Sequence, residues 1–300
     1  MLSSTRESVT IEQAGGARPG VGRAGRAVRE LRRRPLLAAG LAILLAFALL
    51  AAFAERLTPL NPIAVRPALM LMPPGAGSPF GTDRFGRDIF TRVVYGTGVS
   101  LGIAVASIGL AAGAGTLSGL VAGFAGGHVD QVLSRINDVL LAFPSFLLAL
   151  FLTAVMGSGG QTVVIAIGVV YTPLFFRVVR GSVLTQREQG YVEAATAFGA
   201  PAWWIMHRHI LPNVLSPIIV QAAICLSYAI LIESALSYLG VGVQPPTPSW
   251  GTILNEGRGL IELAPWISIF PGLFIMLSVL AFNFVSDGLR DILDPRVRRV

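Results

Sequence analysis

The hydropathy pattern alternates long apolar runs with short polar punctuation. Six runs stand out, at residues 36–54, 99–124, 139–156, 162–179, 214–239 and 266–286. At ~1.5 Å per helical residue, runs of this length match the ~30 Å hydrocarbon core of a bilayer. The pattern predicts an all-α polytopic membrane protein with six transmembrane helices. The first run ends in Ala52-Phe53-Ala54, which looks like a signal-peptidase site. Its apolar core is too long for a signal peptide, and the basic stretch before it too long for an n-region, so an uncleaved span is expected.

The punctuation predicts local structure. Residues 55–97 form a Pro-rich loop with Pro59, Pro62, Pro67, Pro73, Pro74 and Pro79. Asp88 then opens an amphipathic stretch with Ile89, Val93 and Val94, which reads either as an interfacial helix or as a plain helix cap. The second run carries GxxxG spacings at Gly109/Gly113 and Gly115/Gly119, which predict close helix packing. Residues 126–138 read as a short polar connection, and Phe143-Pro144-Ser145 predicts a kink in the third span. The fourth span carries Pro173 and meets Arg177 and Arg180 at its inner end.

Residues 187–212 break the pattern. They are polar and helix-forming, and the link between the fourth and fifth spans takes about thirty residues where a connector needs only a few. Two helices are expected, over residues 187–198 and 201–210, with Gly199 as a C-cap break and Pro201 at a first helical position. Trp203 and Trp204 suit a membrane interface. Leu211-Pro212 should turn the chain into the fifth span, capped by Asn213 and with Pro217 in its first turn. Such a segment reads as a docking surface for a cytoplasmic partner.

Charge sharpens this picture. Only 13% of residues are charged, against ~25% in soluble domains. The net charge is +7, and every basic residue is Arg. The arginines cluster at span ends without aromatic interleaving, which points to the positive-inside rule and away from nucleic acid. Residues 1–34 form an Arg-rich, mostly disordered tail, and Arg296, Arg298 and Arg299 mark the other end. With six spans both termini fall in the cytoplasm. The first outer loop offends the rule with Arg56, Arg66, Arg84, Arg87 and Arg92, only partly offset by Glu55, Asp83 and Asp88. The absence of Lys excludes a Walker A phosphate loop, so ATP, if it drives this protein, is hydrolysed by another chain. The single Cys225 excludes a disulfide framework.

No nucleophile–base pair stands at a recognisable spacing. His207 and His209 diverge by about 200° on a helix and cannot share a metal. Ser145 and Ser237 have no histidine within any span to activate them. Inside the spans, Glu233 with the neutral Gln221 and Asn283 breaks the apolar pattern, so these three are candidates for the pathway or gate. Glu233 falls close to the outer interface, where it would alternatively reach water. An ion-driven carrier would carry more buried carboxylates.

Glu193-Ala194-Ala195, followed by Gly199 and Leu211-Pro212, resembles the EAA loop of ABC importer permeases. Three further segments resemble the dipeptide, oligopeptide and nickel branch of that family. They are Gly81-Thr82-Asp83 with Gly86-Arg87-Asp88, residues 233–251, and Ala281-Phe282-Asn283 with residues 287–296. The resemblance implies a type I importer permease fold and a cytoplasmic coupling helix. It also implies the second-type subunit of a heterodimer, two ATPase subunits that bind ATP and Mg, and an extracytoplasmic solute-binding protein. No cofactor is expected in this chain. The implied cargo is a di- or oligopeptide, with nickel or another small solute as the alternative. The expected division is a tail (1–34), a first span with its loop (35–97), a permease core (98–290) and a second tail (291–300), in the cell inner membrane.

Overall fold

The computed structural model describes residues 34–293; the Arg-rich stretch before them and Asp294-Pro295-Arg296 lie outside. The described chain is helical, with two isolated bridges in the loop before the second span. The helices are α1 (Pro35–Ala52), α2 (Ala54–Leu57), α3 (Ile89–Ala125), α4 (Gly127–Leu141), α5 (Ser145–Met156) and α6 (Gly160–Arg187). They continue as α7 (Gly190–Ala197), α8 (Ala202–Ile205), α9 (Leu211–Tyr238), α10 (Trp250–Gly257) and α11 (Trp266–Leu293). Five helical stretches are long and apolar enough to cross a membrane, and a sixth crossing requires the α4–α5 pair to count as one. The end of the bundle carrying the 58–88 loop is called upper here, the opposite end lower.

Two expected spans differ from the sequence reading. Asp88 caps α3: its carboxylate accepts from the Thr91 amide and the Thr91 hydroxyl, both at 2.7 Å. The helix then runs unbroken for 37 residues, through residues 97–98 and into the span. No separate interfacial helix forms, because Ile89, Val93 and Val94 are fully buried against protein and leave no face for lipid. The third span is the larger departure. Residues 127–141 are not a connection but helix α4, which meets α5 at a 91° bend. Pro144 begins α5 as its N-cap residue, and the missing donor of proline makes that bend inexpensive. At 12 residues α5 is only ~18 Å long, too short to cross by itself.

The parallel pair α3 and α6 makes the most extensive packing among the described residues. Its seam is Gly115, Gly119 and Gly123. A Cβ at Gly115 would lie 2.6 Å from Phe175 Cβ and from the Thr172 carbonyl oxygen, and one at Gly123 would lie 2.8 Å from Val183 Cβ. Close backbone approach supplies the dispersion contacts that hold helices together in lipid. The Gly109/Gly113 pair has open space instead, so only the second GxxxG spacing packs. Helix α9 lies against α3, α6 and α11, and α10 closes the upper end over α9 and α11. Trp250, fully buried, sits among Phe47 and Phe274 and donates from Nε1 to the Val93 carbonyl at 3.2 Å.

Candidate functional site

At the lower end, α7 and α8 form a two-helix step between α6 and α9. Helix α7 ends in a complete Schellman motif: Gly199 N–H donates to Thr196 O at 3.0 Å, and Ala200 N–H to Ala195 O at 3.1 Å. Gly199 has φ +76°, which only glycine adopts without cost, and a Cβ placed there would meet no neighbour within 4 Å. The step is held from one side. Val192, Ile205, Ile210 and Val214 are buried on Leu120, Val179 and Val183, in a small core separate from the main one. The other side is bare. Glu193 and Ala194 are exposed, Ala195 is half-buried, and Phe198 is 91% exposed. An open groove of ≈ 870 Å³ runs along the step, lined by Phe124, Arg187, Glu188, Val192, Glu193 and Thr196 among others.

The expected turn at Leu211-Pro212 is absent. From Ala202 the helix continues through a π turn, Met206–Ile210, directly into α9. Pro212 lacks an N–H, and its ring crowds the carbonyl four residues back; the wider π turn gives that carbonyl room. Asn213 is therefore not a cap. It lies within the continuous helix and donates from Nδ2 to the His209 carbonyl at 2.7 Å and to the Tyr191 hydroxyl at 3.2 Å. The His209 ring packs edge-on against Trp204 at 4.8 Å.

The upper end holds a buried four-charge cluster. Asp83 accepts from Arg87 Nε at 2.6 Å, from Arg92 Nη1 at 2.7 Å, and from the amides of Phe85 and Arg87. Glu256, on α10, pairs with both arginines. Thr82 ties the same loop together, accepting from the Met72 amide at 2.8 Å and donating to the Leu69 carbonyl. Gly81 and Gly86 take the positive φ angles of its turns. The cluster is neutral overall, which removes Arg87 and Arg92 from the unexplained positive charge of this loop. Glu256 was missed in sequence because its partners lie about 165 residues away, although its position in the last loop of a chain with surplus Arg in the first was the available signal.

Glu233, Gln221 and Asn283 do not come together. Glu233 is fully buried near the upper end of α9, so it does not reach water. It accepts from Ser237 Oγ at 2.9 Å and Ser234 Oγ at 3.3 Å. Gln221 is half-buried, ~18 Å further down α9, and contacts Cys225 Sγ at 3.2 Å. Asn283 is exposed on α11.

Comparison with known proteins decides what this architecture belongs to. The profile of the family described as "Binding-protein-dependent transport system inner membrane component" matches residues 115–299. The chain belongs to this family. It is a multi-pass permease of an ABC transporter, a transport component without catalytic activity of its own, and its family membership implies ATPase and binding-protein partners. The permease is similar to the dipeptide transport system permease protein DppC of Alkalihalophilus pseudofirmus, 46% identical over 91% of this chain and 90% of the relative. It is 42% identical to the glutathione transport system permease protein GsiD of Pectobacterium atrosepticum, covering 90% of each. The same identity relates it to the di/tripeptide permease protein DppC of Pseudomonas aeruginosa, over 86% of this chain and 88% of the relative. Its fold resembles a chain of the MetNI methionine ABC transporter in inward-facing conformations. That match has a TM-score of 0.55 at 19% identity and covers 68% of the permease and 97% of that chain.

Proposed function

We propose that the permease carries di- or oligopeptides across the inner membrane as one half of a heterodimer with a homologous second subunit. Two cytoplasmic ATPases seat on the lower end, and an extracytoplasmic solute-binding protein docks on the upper. Both termini lie in the cytoplasm, with the bent α4–α5 pair counting as the third crossing. The division into a tail (1–34), a first span with its loop (35–97), a core (98–290) and a second tail belongs to this reading. Peptide cargo is supported by relatives named for dipeptide, di/tripeptide and glutathione transport.

The observation that carries the coupling role is the two-sided step at the lower end. Glu193, Ala194 and Ala195 lie on α7, whose apolar side is anchored in the small core on α6 and α9, while Phe198 and the groove stand open. An ATPase engaging that open side moves α7 and α8. Gly199 holds the angle between them. Because α8 passes through Leu211 and Pro212 into α9 without a break, the movement tilts α9 as a lever rather than through a hinge. A stiff helix transmits displacement along its length, so a shift at the lower end changes access higher up.

The test is Gly199→Val. A β-branched residue at this positive φ is strained by about 1–2 kcal/mol or more, so the Schellman turn reopens and the α7–α8 angle is lost. The expected result is a transporter whose peptide uptake falls at least fivefold relative to its ATP hydrolysis, or which loses its ATPase on purification. Wild-type uptake and wild-type complex yield together would sink the assignment.

A further inference from the structure

Two ion pairs join α4 to α6, and they differ in kind. Arg180 grips Asp130 with two parallel bonds, from Nε and from Nη2, the latter at 2.6 Å, and the pair is largely covered. Arg177 and Asp138 share one bond of 3.2 Å, and their side chains are 58% and 50% exposed. The first pair fixes helix geometry. The second opens at little cost, since exposed single-bond pairs contribute little.

The second pair is also deep. The sequence alone puts Arg177 at the inner end of a span, yet α6 runs ten residues further, ~15 Å along its axis. Asp138 of α4 is held at the same level by its 3.2 Å bond to Arg177. Helix α6 is ~42 Å long and overhangs a ~30 Å core by ~6 Å at each end, so the pair sits ~9 Å inside the apolar slab. Ionisable groups at such depth face water or other protein, not lipid.

Helix α4 separates two exposed faces. Val129, Val132, Ile136 and Val139 recur at helical spacing on one, as lipid requires. Gln131, Arg135 and Asp138 recur at i, i+4 and i+7 on the other, where Asp138 meets Arg177 of α6; Gly181 is exposed one turn further along α6. An open recess of ≈ 690 Å³ lies where the two faces meet, lined by Gln131, Arg135 and Asp138, by Val132 and Ile136, and by Arg180 of α6.

We propose that Arg177 and Asp138 line a water-filled stretch of the translocation path and bind the two ends of a zwitterionic cargo. The guanidinium of Arg177 exchanges Asp138 for the cargo carboxylate, which it can grip with two bonds. The released Asp138 takes the cargo ammonium group. The path assignment stands on geometry alone; the assignment to peptide ends rests on the peptide reading above.

The experiment uses the complete transporter, with its ATPases and binding protein, in lipid nanodiscs. Arg177→Cys, Asp138→Cys and Gly181→Cys are each exposed to a charged, water-soluble methanethiosulfonate. Cys225, the chain's own thiol, is buried. All three positions should react at least tenfold faster than Leu147→Cys, which stands on the exposed apolar face of α5. Rates no faster than that control at all three positions overturn the path assignment, whether lipid or the second subunit covers them. In uptake assays Arg177→Gln should slow a free-carboxylate dipeptide about tenfold, the scale of one charge-assisted hydrogen bond. Its C-terminally amidated counterpart should stay within twofold. Equal losses on both peptides overturn the carboxylate role. Wild-type transporter that accumulates neither peptide instead refutes the cargo reading, and thiol reactivity then decides the path assignment by itself.

Discussion

Replacing Glu256 by Gln leaves two guanidinium groups facing one carboxylate. Asp83, Arg87, Arg92 and Glu256 are each less than a tenth exposed and sum to zero charge. Removing one buried partner strands a charge, at a cost of about 3–5 kcal/mol. Glu256→Gln keeps the side-chain shape, so packing loss adds little, and the whole effect reads as charge. By the scaling of soluble domains a loss of this size lowers the melting temperature by roughly 6 °C or more. The decisive comparison is the double variant Arg87→Met with Glu256→Leu. It removes one positive and one negative charge and leaves the 2.7 Å Arg92–Asp83 pair intact. Replacing a buried pair by apolar residues is near neutral in other proteins, so the double variant should recover most of what Glu256→Gln loses. Thermal unfolding of the detergent-solubilised permease, followed by tryptophan fluorescence, reads both. If the double variant is as unstable as the two single changes added together, the four residues do not act as a charge-balanced unit and the reasoning fails.

Gly115→Ala should cost about 1–3 kcal/mol through overpacking, since its methyl would meet Phe175 and the Thr172 carbonyl at 2.6 Å. Gly113→Ala, with open space around it, should stay within about 0.5 kcal/mol, and equal melting shifts for the two would contradict the seam. Glu233→Gln keeps an acceptor for the Ser237 hydroxyl and should leave stability close to wild type. Glu233→Leu strands buried hydroxyls at about 1–3 kcal/mol, a difference detergent unfolding would resolve.

Apolar run length and Arg placement were enough to predict an all-helical membrane protein with a polar segment between its fourth and fifth spans, because both signals are local. A run either is or is not long enough for a bilayer, and arginines gathered at span ends favour the cytoplasmic side. The Gly199 break was equally local, since a Schellman turn needs only a residue that accepts positive φ. Tertiary structure decided what depends on distant partners. Which of two GxxxG spacings packs was settled by the position of α6. Whether Pro212 breaks the helix was settled by a π turn no propensity announces. Burial of Glu233 and neutralisation of Arg87 and Arg92 required α10, far along the chain, to arrive beside α3 and α9. The depth of Arg177 followed from where α6 ends. Hydropathy had placed that residue at a boundary, because it measures how apolar a residue's neighbours in sequence are and not which residues stand beside it in space.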